Sequence, residues 1–415
     1  MIRDSLHFPT VERSLHDALS AISAQILPLE QQKVSLIHAL ARISAVSLLS
    51  SRPKPSYDQS TRDGFALSSH SLSEGDNKAV FKVIAEVAAG SREELLLQPG
   101  EAVRIMTGAM IPLGCVRVVP FEVCNDSGRR VTIPKSELTH RQQYIRFLGS
   151  DSKKGELLVP AGTRLLPDHL LILAENGWFD LPVYKQPRVA VICTGSELVE
   201  LGEAVQPGQK VSGNTILLSA LLQAHGVCCS QSITVADKVD MIVEQVRQLL
   251  DEEQPDMIIT TGGMGPGKFD LMEQVFAHLE GTVVYNRLQV RPGKSTLFGM
   301  VGQIPFFALP GPPPAVRILF HELIVPALNR LQGCENGSSK LIDVVLESTL
   351  SLKQTRHFDL KGAIVRTVEG HLLVCPAGKM EPINAIMHLE CGRTAAKQGE
   401  SVKVRLVEPL QGLAV

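Results

Sequence analysis

The sequence has almost no excess charge of either sign. Its 415 residues carry 41 Lys and Arg against 43 Asp and Glu, a formal net charge of −2. A protein that tracks a nucleic-acid backbone carries a basic excess or stripe, so nucleic acid is not an expected partner. A small anion needs only a few local cations and stays compatible. The chain also lacks any Cys-x-x-Cys pair. Its eight cysteines stand at 115, 124, 193, 228, 229, 334, 375 and 391, without zinc-site spacing. They read as small buried hydrophobes in a reducing compartment. No stretch approaches the roughly 20 continuous apolar residues of a membrane helix, and Met1–Pro9 has no apolar h-region. A cytoplasmic protein that keeps off membranes is expected. Internal repeats and low-complexity tracts are missing too.

What is present suffices for several cores, at 44% hydrophobic residues. Val11, Leu15, Ala18, Leu19 and Ile22 recur at helical spacing between Pro9 and Pro28, and Val34, Ile37, Leu40, Ala41 and Ile43 suggest a second helix. A Ser/Arg/Pro-rich linker follows at 50–55. Short strands are then expected at 79–88, 102–106, 116–120, 130–133 and 144–147, punctuated by Gly and Pro. A helix at 167–177 reads as re-entry into the first domain. From 187 onward, strands at 188–194, 227–235, 257–261, 282–290 and 306–309 alternate with helices at 215–225, 238–252, 271–279 and 313–331, the pattern of a parallel, doubly wound sheet. After a linker at 333–339 the chain reads as strands again. The expected fold is therefore multidomain α/β. It has an N-terminal helical linker domain (1–51 with 145–184), an inserted β domain (52–144), a doubly wound parallel-sheet domain (185–332) and a C-terminal small β-barrel-like domain (338–415).

The segment richest in chemistry runs from Ile258 to Asp270. A buried strand enters Gly262, Gly263, Gly265 and Gly267, four glycines in six residues. Such a turn lets backbone N–H groups face an anion at a helix N-terminus. It is neither a Walker A loop nor a clean dinucleotide fingerprint. Arg287, Arg291 and Lys294 place three cations in eight residues at another expected sheet end, where a solvated turn and an oxyanion site are equally good readings. Leu309–Pro314 reads as a helix opening. An Asp-Gly turn at Asp63-Gly64 and a small-residue turn after Arg104 are weak features alone.

Together these segments resemble the molybdopterin molybdenumtransferase family (the MoeA and gephyrin E-domain type). Ser60-Thr61-Arg62-Asp63-Gly64-Phe65-Ala66 is similar to its S-x-M-D-G-Y-A, and Arg104–Ala109 reproduces R-I-M-T-G-A. Pro160–Leu165 matches P-A-G-T-x-L, and Cys193–Leu198 resembles S-T-G-[DS]-E-L. Thr261–Asp270 resembles the family's glycine loop, and Arg291–Lys294 its K-P-G-K. The resemblance implies Mg²⁺-dependent insertion of molybdate into the dithiolene of adenylylated molybdopterin, with release of AMP, by a homodimer. Residue by residue it implies catalytic roles for Asp63, Thr107, Asp151, Glu197, Asp237 and Asp270. Substrate contacts fall to Asn214, Thr261, Gly262, Gly263, Gly265, Gly267, Arg291, Lys294 and Gly311. Asp270 and Glu197 are the implied Mg²⁺ ligands, and Asp63 and Thr107 would reach the cleft from a second subunit. The chain departs from the family pattern at Pro312 (for Asn), Ala315 (for Ser), Pro266 or Gly265 (for the loop Ser), Ser212 or Gly213 (for Asp) and Lys361 (for Arg). A proline or alanine cannot donate a side-chain hydrogen bond, so a diverged pterin- or nucleotide-binding or scaffold protein is the alternative. A nucleotide-dependent oxidoreductase would need a Gly-x-Gly-x-x-Gly turn after the first strand, which is missing.

Overall fold

The computed structural model describes residues 8–70, 76–264, 271–334, 340–352, 357–378 and 381–407. Helix α1 (Leu15–Gln25) starts at Ser14, whose hydroxyl accepts the Asp17 N–H at 3.1 Å and so satisfies one orphan amide of the first turn. Ala18 and Ile22, one turn apart, pack with Ile26 into the core of the distant α/β domain. The second expected helix does not form. Gln31–Ser35 is instead a strand paired antiparallel with Asp180–Tyr184, and a single 3₁₀ turn, Leu36–His38, follows it. The apolar residues there share no helical face, since Val34 and Leu36 join a core while Ile37 is 79% and Leu40 54% exposed. Long-range pairing overrides a weak local period. Helix α2 (Pro167–Glu175) closes this unit, whose core joins Ala39 and Leu48 to Val159, Leu173 and Leu181. That shared core supports treating 52–144 as an insertion, a division we propose.

The inserted unit is one twisted sheet built from β1 (Gly64–Ser68), β2 (Lys78–Val87), β3 (Glu101–Ile105), β4 (Cys115–Pro120) and β5 (Arg130–Pro134). Their order is β4-β1-β3-β2-β5, with Asn125–Asp126 on the outer edge. Along β1, Phe65 and Leu67 enter one core and Ala66 the other, the period of two expected of a strand buried on both faces. The strand expected near 145 is only Ile145–Arg146, and it pairs with Gln59–Ser60 outside this sheet.

The α/β unit runs β6 (Arg188–Thr194), α3 (Gly213–Ala224), β7 (Cys228–Val235), α4 (Val239–Gln248), β8 (Met257–Thr261), α5 (Leu271–His278), β9 (Thr282–Tyr285), β10 (Leu297–Val301), β11 (Ile304–Leu309), α6 (Pro313–Leu319) and α7 (Val325–Leu331). The sheet order is β7-β6-β8-β11-β10-β9. The first four strands are parallel, while β10 runs antiparallel to both of its neighbours. Strand β10 was not foreseen. The single strand expected at 282–290 is broken, and Arg287–Leu288 pairs instead with Glu12–Arg13. The helix expected at 313–331 is interrupted by a π-helical turn, Phe320–Ile324. Pro326 has no N–H for the carbonyl one turn back, and the widened ladder absorbs the loss.

Five strands close the C-terminal barrel: β12 (Leu341–Leu346), β13 (Phe358–Val368), β14 (His371–Pro376), β15 (Ala385–Leu389) and β16 (Ser401–Leu406). The ring β13-β14-β12-β16-β15 returns to β13, so no edge is left to pair wrongly. The thiols are less hidden than expected. Cys193 is buried, but Cys228, at the start of edge strand β7, and Cys391 are exposed.

Phe307 is fully buried and stacks on Phe298 with ring centroids 4.6 Å apart. Phe307→Ala is expected to destabilise the α/β unit by about 3–5 kcal/mol, read as a lowered urea midpoint; a midpoint within error of the parent would refute this account of the core.

Candidate functional site

Strands β6, β8 and β11 present their carboxyl ends, Thr194, Thr261 and Leu309, side by side. Helices α3 and α6 pack on one face of the sheet, and α4 and α5 on the other. The chain therefore leaves β6 and β8 toward opposite faces, and a crevice opens between them, the ligand position of open α/β sheets. A cavity of about 620 Å³ occupies it. Glu197, Asn214, Asp237, Thr261, Gly262, Gly263 and Gly311 all line it, which brings these expected site residues together from five separate loops and strand ends.

Asn214, in the first turn of α3, ties three of those segments. Its Nδ2 donates to Thr261 Oγ1 at 3.1 Å and to the Gly311 carbonyl at 2.8 Å. Its Oδ1 is buried without a partner, as are Ser212 Oγ and Thr194 Oγ1, and all three residues line the cavity. Buried polar atoms cost free energy when left unpaired, so the site is built to contact a polar guest. Gly262 sits at φ +97°, and a Cβ there would lie 2.3 Å from the Thr194 carbonyl oxygen. Only glycine allows the two strand ends to approach so closely. The Gly262 N–H, however, is already donated to the Leu309 carbonyl at 3.1 Å. That amide holds the turn together and does not face a ligand. Gly265, Gly267 and Asp270 lie outside the described residues.

At the rim, Glu197 Oε1 meets Lys210 Nζ at 2.9 Å. The Lys210 hydrogen bond holds the Glu197 carboxyl below its usual range. Lys210 reaches this place because Leu198–Val199 and Lys210–Val211 pair in parallel. Nothing in the sequence marks it, since a lone lysine in a polar loop has no pattern. Asp237, in the turn after β7, is exposed and carries no ion pair among the described residues. The rim thus offers two carboxylates, and hydroxyl and amide oxygens stand behind them. Hard divalent cations favour such an all-oxygen set. Among the described residues no three His, Cys, Asp or Glu side chains cluster tightly enough to enclose a metal.

The remaining expected residues lie elsewhere. Asp63 and Thr107 bond each other in the inserted sheet, where Asp63 Oδ1 accepts the Thr107 N–H at 2.7 Å and its hydroxyl at 2.9 Å. The amide bond first, then the hydroxyl, lowers the Asp63 pKa. Asp151 pairs with Arg146 in a hollow beside 52–59. Arg291 is held by Asp359 of the barrel at 3.2 Å, with Lys361 3.8 Å from the same carboxylate. Lys294 is exposed and does not line the cavity. Two departures from the family motif are visible as geometry. Pro312 opens α6 without a side-chain cap, and Ala315 is buried at 5% exposure.

Comparison with known proteins agrees with this architecture. Residues 13–177 match the family model described as "MoeA N-terminal region (domain I and II)", and residues 190–330 match the "Probable molybdopterin binding domain". A molybdopterin molybdenumtransferase of Staphylococcus aureus (strain COL) is 31% identical over 404 residues, covering 94% of this chain and 95% of that protein. One from Staphylococcus epidermidis is 29% identical over 405 residues, covering 95% and 96%. A crystal structure of the molybdopterin biosynthesis MoeA protein of Pyrococcus horikoshii superposes with a TM-score of 0.77 at 23% identity, over 95% of this chain and all of that one. Another crystal structure of a molybdopterin biosynthesis MoeA protein from the same organism gives 0.79 at 26% identity, over 96% of this chain and 99% of that one. By sequence and fold, the chain belongs to the molybdopterin molybdenumtransferase family of molybdenum cofactor biosynthesis.

Proposed function

We propose that the chain inserts molybdate into adenylylated molybdopterin and releases AMP in a Mg²⁺-dependent reaction, as a cytoplasmic homodimer. The observation that carries this reading is the cavity at the sheet's switch point, with the Glu197 and Asp237 carboxylates at its rim and three unpartnered oxygens in its wall. Asn214 Oδ1 is an acceptor for a donor on the pterin nucleotide, while the Ser212 and Thr194 hydroxyls can serve phosphate oxygens. Glu197 and Asp237, with Asp270, would hold Mg²⁺. When bound, that ion supplies charge neutralisation at the phosphates. Lys294, exposed and without an ion pair among the described residues, and Arg291 are the cations we assign to drawing in the molybdate dianion.

Asp63 and Thr107 do not line this chain's own cavity. We assign them to the cavity of a second copy, which makes the complete site a product of dimerisation. A second reading, a binding or scaffold protein of the same fold without metal insertion, draws on Pro312 and Ala315, which present no hydrogen-bonding side chain where the family has two.

Four outcomes test the proposal. Purified protein given adenylylated molybdopterin and Mg²⁺ should release AMP only when molybdate is present. Asp237→Asn should slow that release on the order of 10²-fold, and Asp270→Ala at least as much; tight binding with no release would favour the second reading. Gly262→Ala should abolish release and destabilise the protein by about 1–3 kcal/mol, the cost of a strained left-handed residue. Co-expressed Asp63→Ala and Asp237→Asn chains should recover roughly a quarter of the parental activity, because random pairing makes half the dimers mixed, with one intact site each. No recovery would place Asp63 with its own chain's cavity, and about half the parental activity would place it outside the site.

A further inference from the structure

Helix α3 runs from the cavity described above to a second one at its other end. Gly213 and Asn214 line the first, Gln223 and Ala224 the second, about 18 Å apart along the axis for a helix of this length. The second cavity measures about 430 Å³ and shares no lining residue with the first. It lies where three units meet. Arg164 comes from the N-terminal unit, His225, His321 and Asn329 from the α/β unit, and Arg405 from barrel strand β16.

These residues share one chemistry. Among the described residues nothing acidic lines the cavity. Arg164 is half-buried, gives Nη1 to the Ala41 carbonyl at 3.1 Å, and meets no carboxylate among the described residues. Asn329 is 6% exposed, and its Nδ2 has no acceptor. A buried amide donor left unpaired is costly and therefore uncommon. His321 is equally buried at 6% exposure. Desolvation, then the charges of His225, Arg317 and Arg405, pushes its pKa down to about 3. It is thus a neutral imidazole with a single ring N–H near pH 7. Burial lowers His225 as well. Arg405 gives Nε to Glu322 at 3.0 Å, which anchors its guanidinium at the wall. Val325, Pro326, Leu406 and Val407 complete the lining as its apolar part.

We propose that this cavity binds a compact phosphomonoester, its phosphate among Arg164, Asn329 and the two imidazoles and its organic body against the apolar wall. These donors come from two separate units, Arg164 from the N-terminal one and Asn329, His225 and His321 from the α/β one, and a guanidinium pairs bidentately with a phosphate. A bare phosphate would leave most of the space unfilled, since one water's share of liquid volume is only about 30 Å³. The volume falls within the range of ordinary small-ligand sites, roughly 300–1,000 Å³. The proposal does not depend on the transferase reading.

Calorimetric titration of the full chain with phenyl phosphate tests it. One site is expected. Inorganic phosphate should compete for it more weakly. Arg164→Ala should weaken phenyl phosphate at least tenfold. Asn329→Asp, which keeps the shape but turns the orphan donor into an anionic acceptor, should abolish binding. Asp237→Asn, in the first cavity, should leave the affinity unchanged. Far-UV circular dichroism establishes that each variant is folded, and if Asn329→Asp is not, Arg164→Gln at the half-buried position takes its place. Absence of binding at millimolar ligand, indifference to both Arg164 substitutions, or loss of binding in Asp237→Asn would each overturn the proposal.

Discussion

Strands β6, β8 and β11 are buried on both faces, and the rest of the molecule is arranged around that requirement. Along β6, Val189, Val191 and Cys193 enter one core while Ala190 and Ile192 enter the other. A parallel sheet with no solvated face must be covered twice. Helices α3, α6 and the N-terminal α1 cover one side, and α4 and α5 the other. Covering both sides forces neighbouring strands to send their chains in opposite directions, and the crevice holding Asn214, Thr261 and Gly311 is the direct result. The site is thus a consequence of packing, and the side chains in it tune a space the core already made.

The other units are attached to this sheet by buried polar contacts as well as apolar ones. Asn286 is 4% exposed; it accepts the Val11 N–H at 2.8 Å and donates to Glu273 at 2.8 Å, binding the N-terminal segment to the α/β unit. Glu322, fully buried in the π-helical turn, meets His388 at 2.8 Å and Arg405 at 3.0 Å on the barrel. Burial alone would raise the Glu322 pKa, but His388 and Arg405 more than offset it and keep the carboxylate charged. Removing one member of such a set leaves a buried charge uncompensated, at about 3–5 kcal/mol. The cation-lined cavity borders this same joint, so Arg405 serves both the attachment of the barrel and the wall of that cavity.

Much of the architecture was legible in the residues because the relevant physics is local. The alternation of short apolar runs with helical spacing identified β6, β7, β8 and β11 and their helices, and the spacing from Val11 to Ile22 identified α1. Legibility failed where a distant partner outweighed the local pattern. Gln31–Ser35 became a strand because Asp180–Tyr184 lies beside it. Strand β10 is held by β9 and β11 on either side, pairings that its own residues do not announce.

The same division runs through the site. What local residues settle is the backbone: Gly262 and Gly263 after a buried strand, Asn214 and Thr215 opening a helix, a proline-rich turn ending β11. Each is a choice of φ and ψ that a few adjacent residues make alone. Which side chains meet is set by long-range packing instead. It gave Glu197 to Lys210, committed the Gly262 amide to Leu309, turned Arg291 toward Asp359, and left the Asn214 oxygen and the Asn329 amide without partners. Such pairings join residues far apart in the chain, and no short-range pattern carries them.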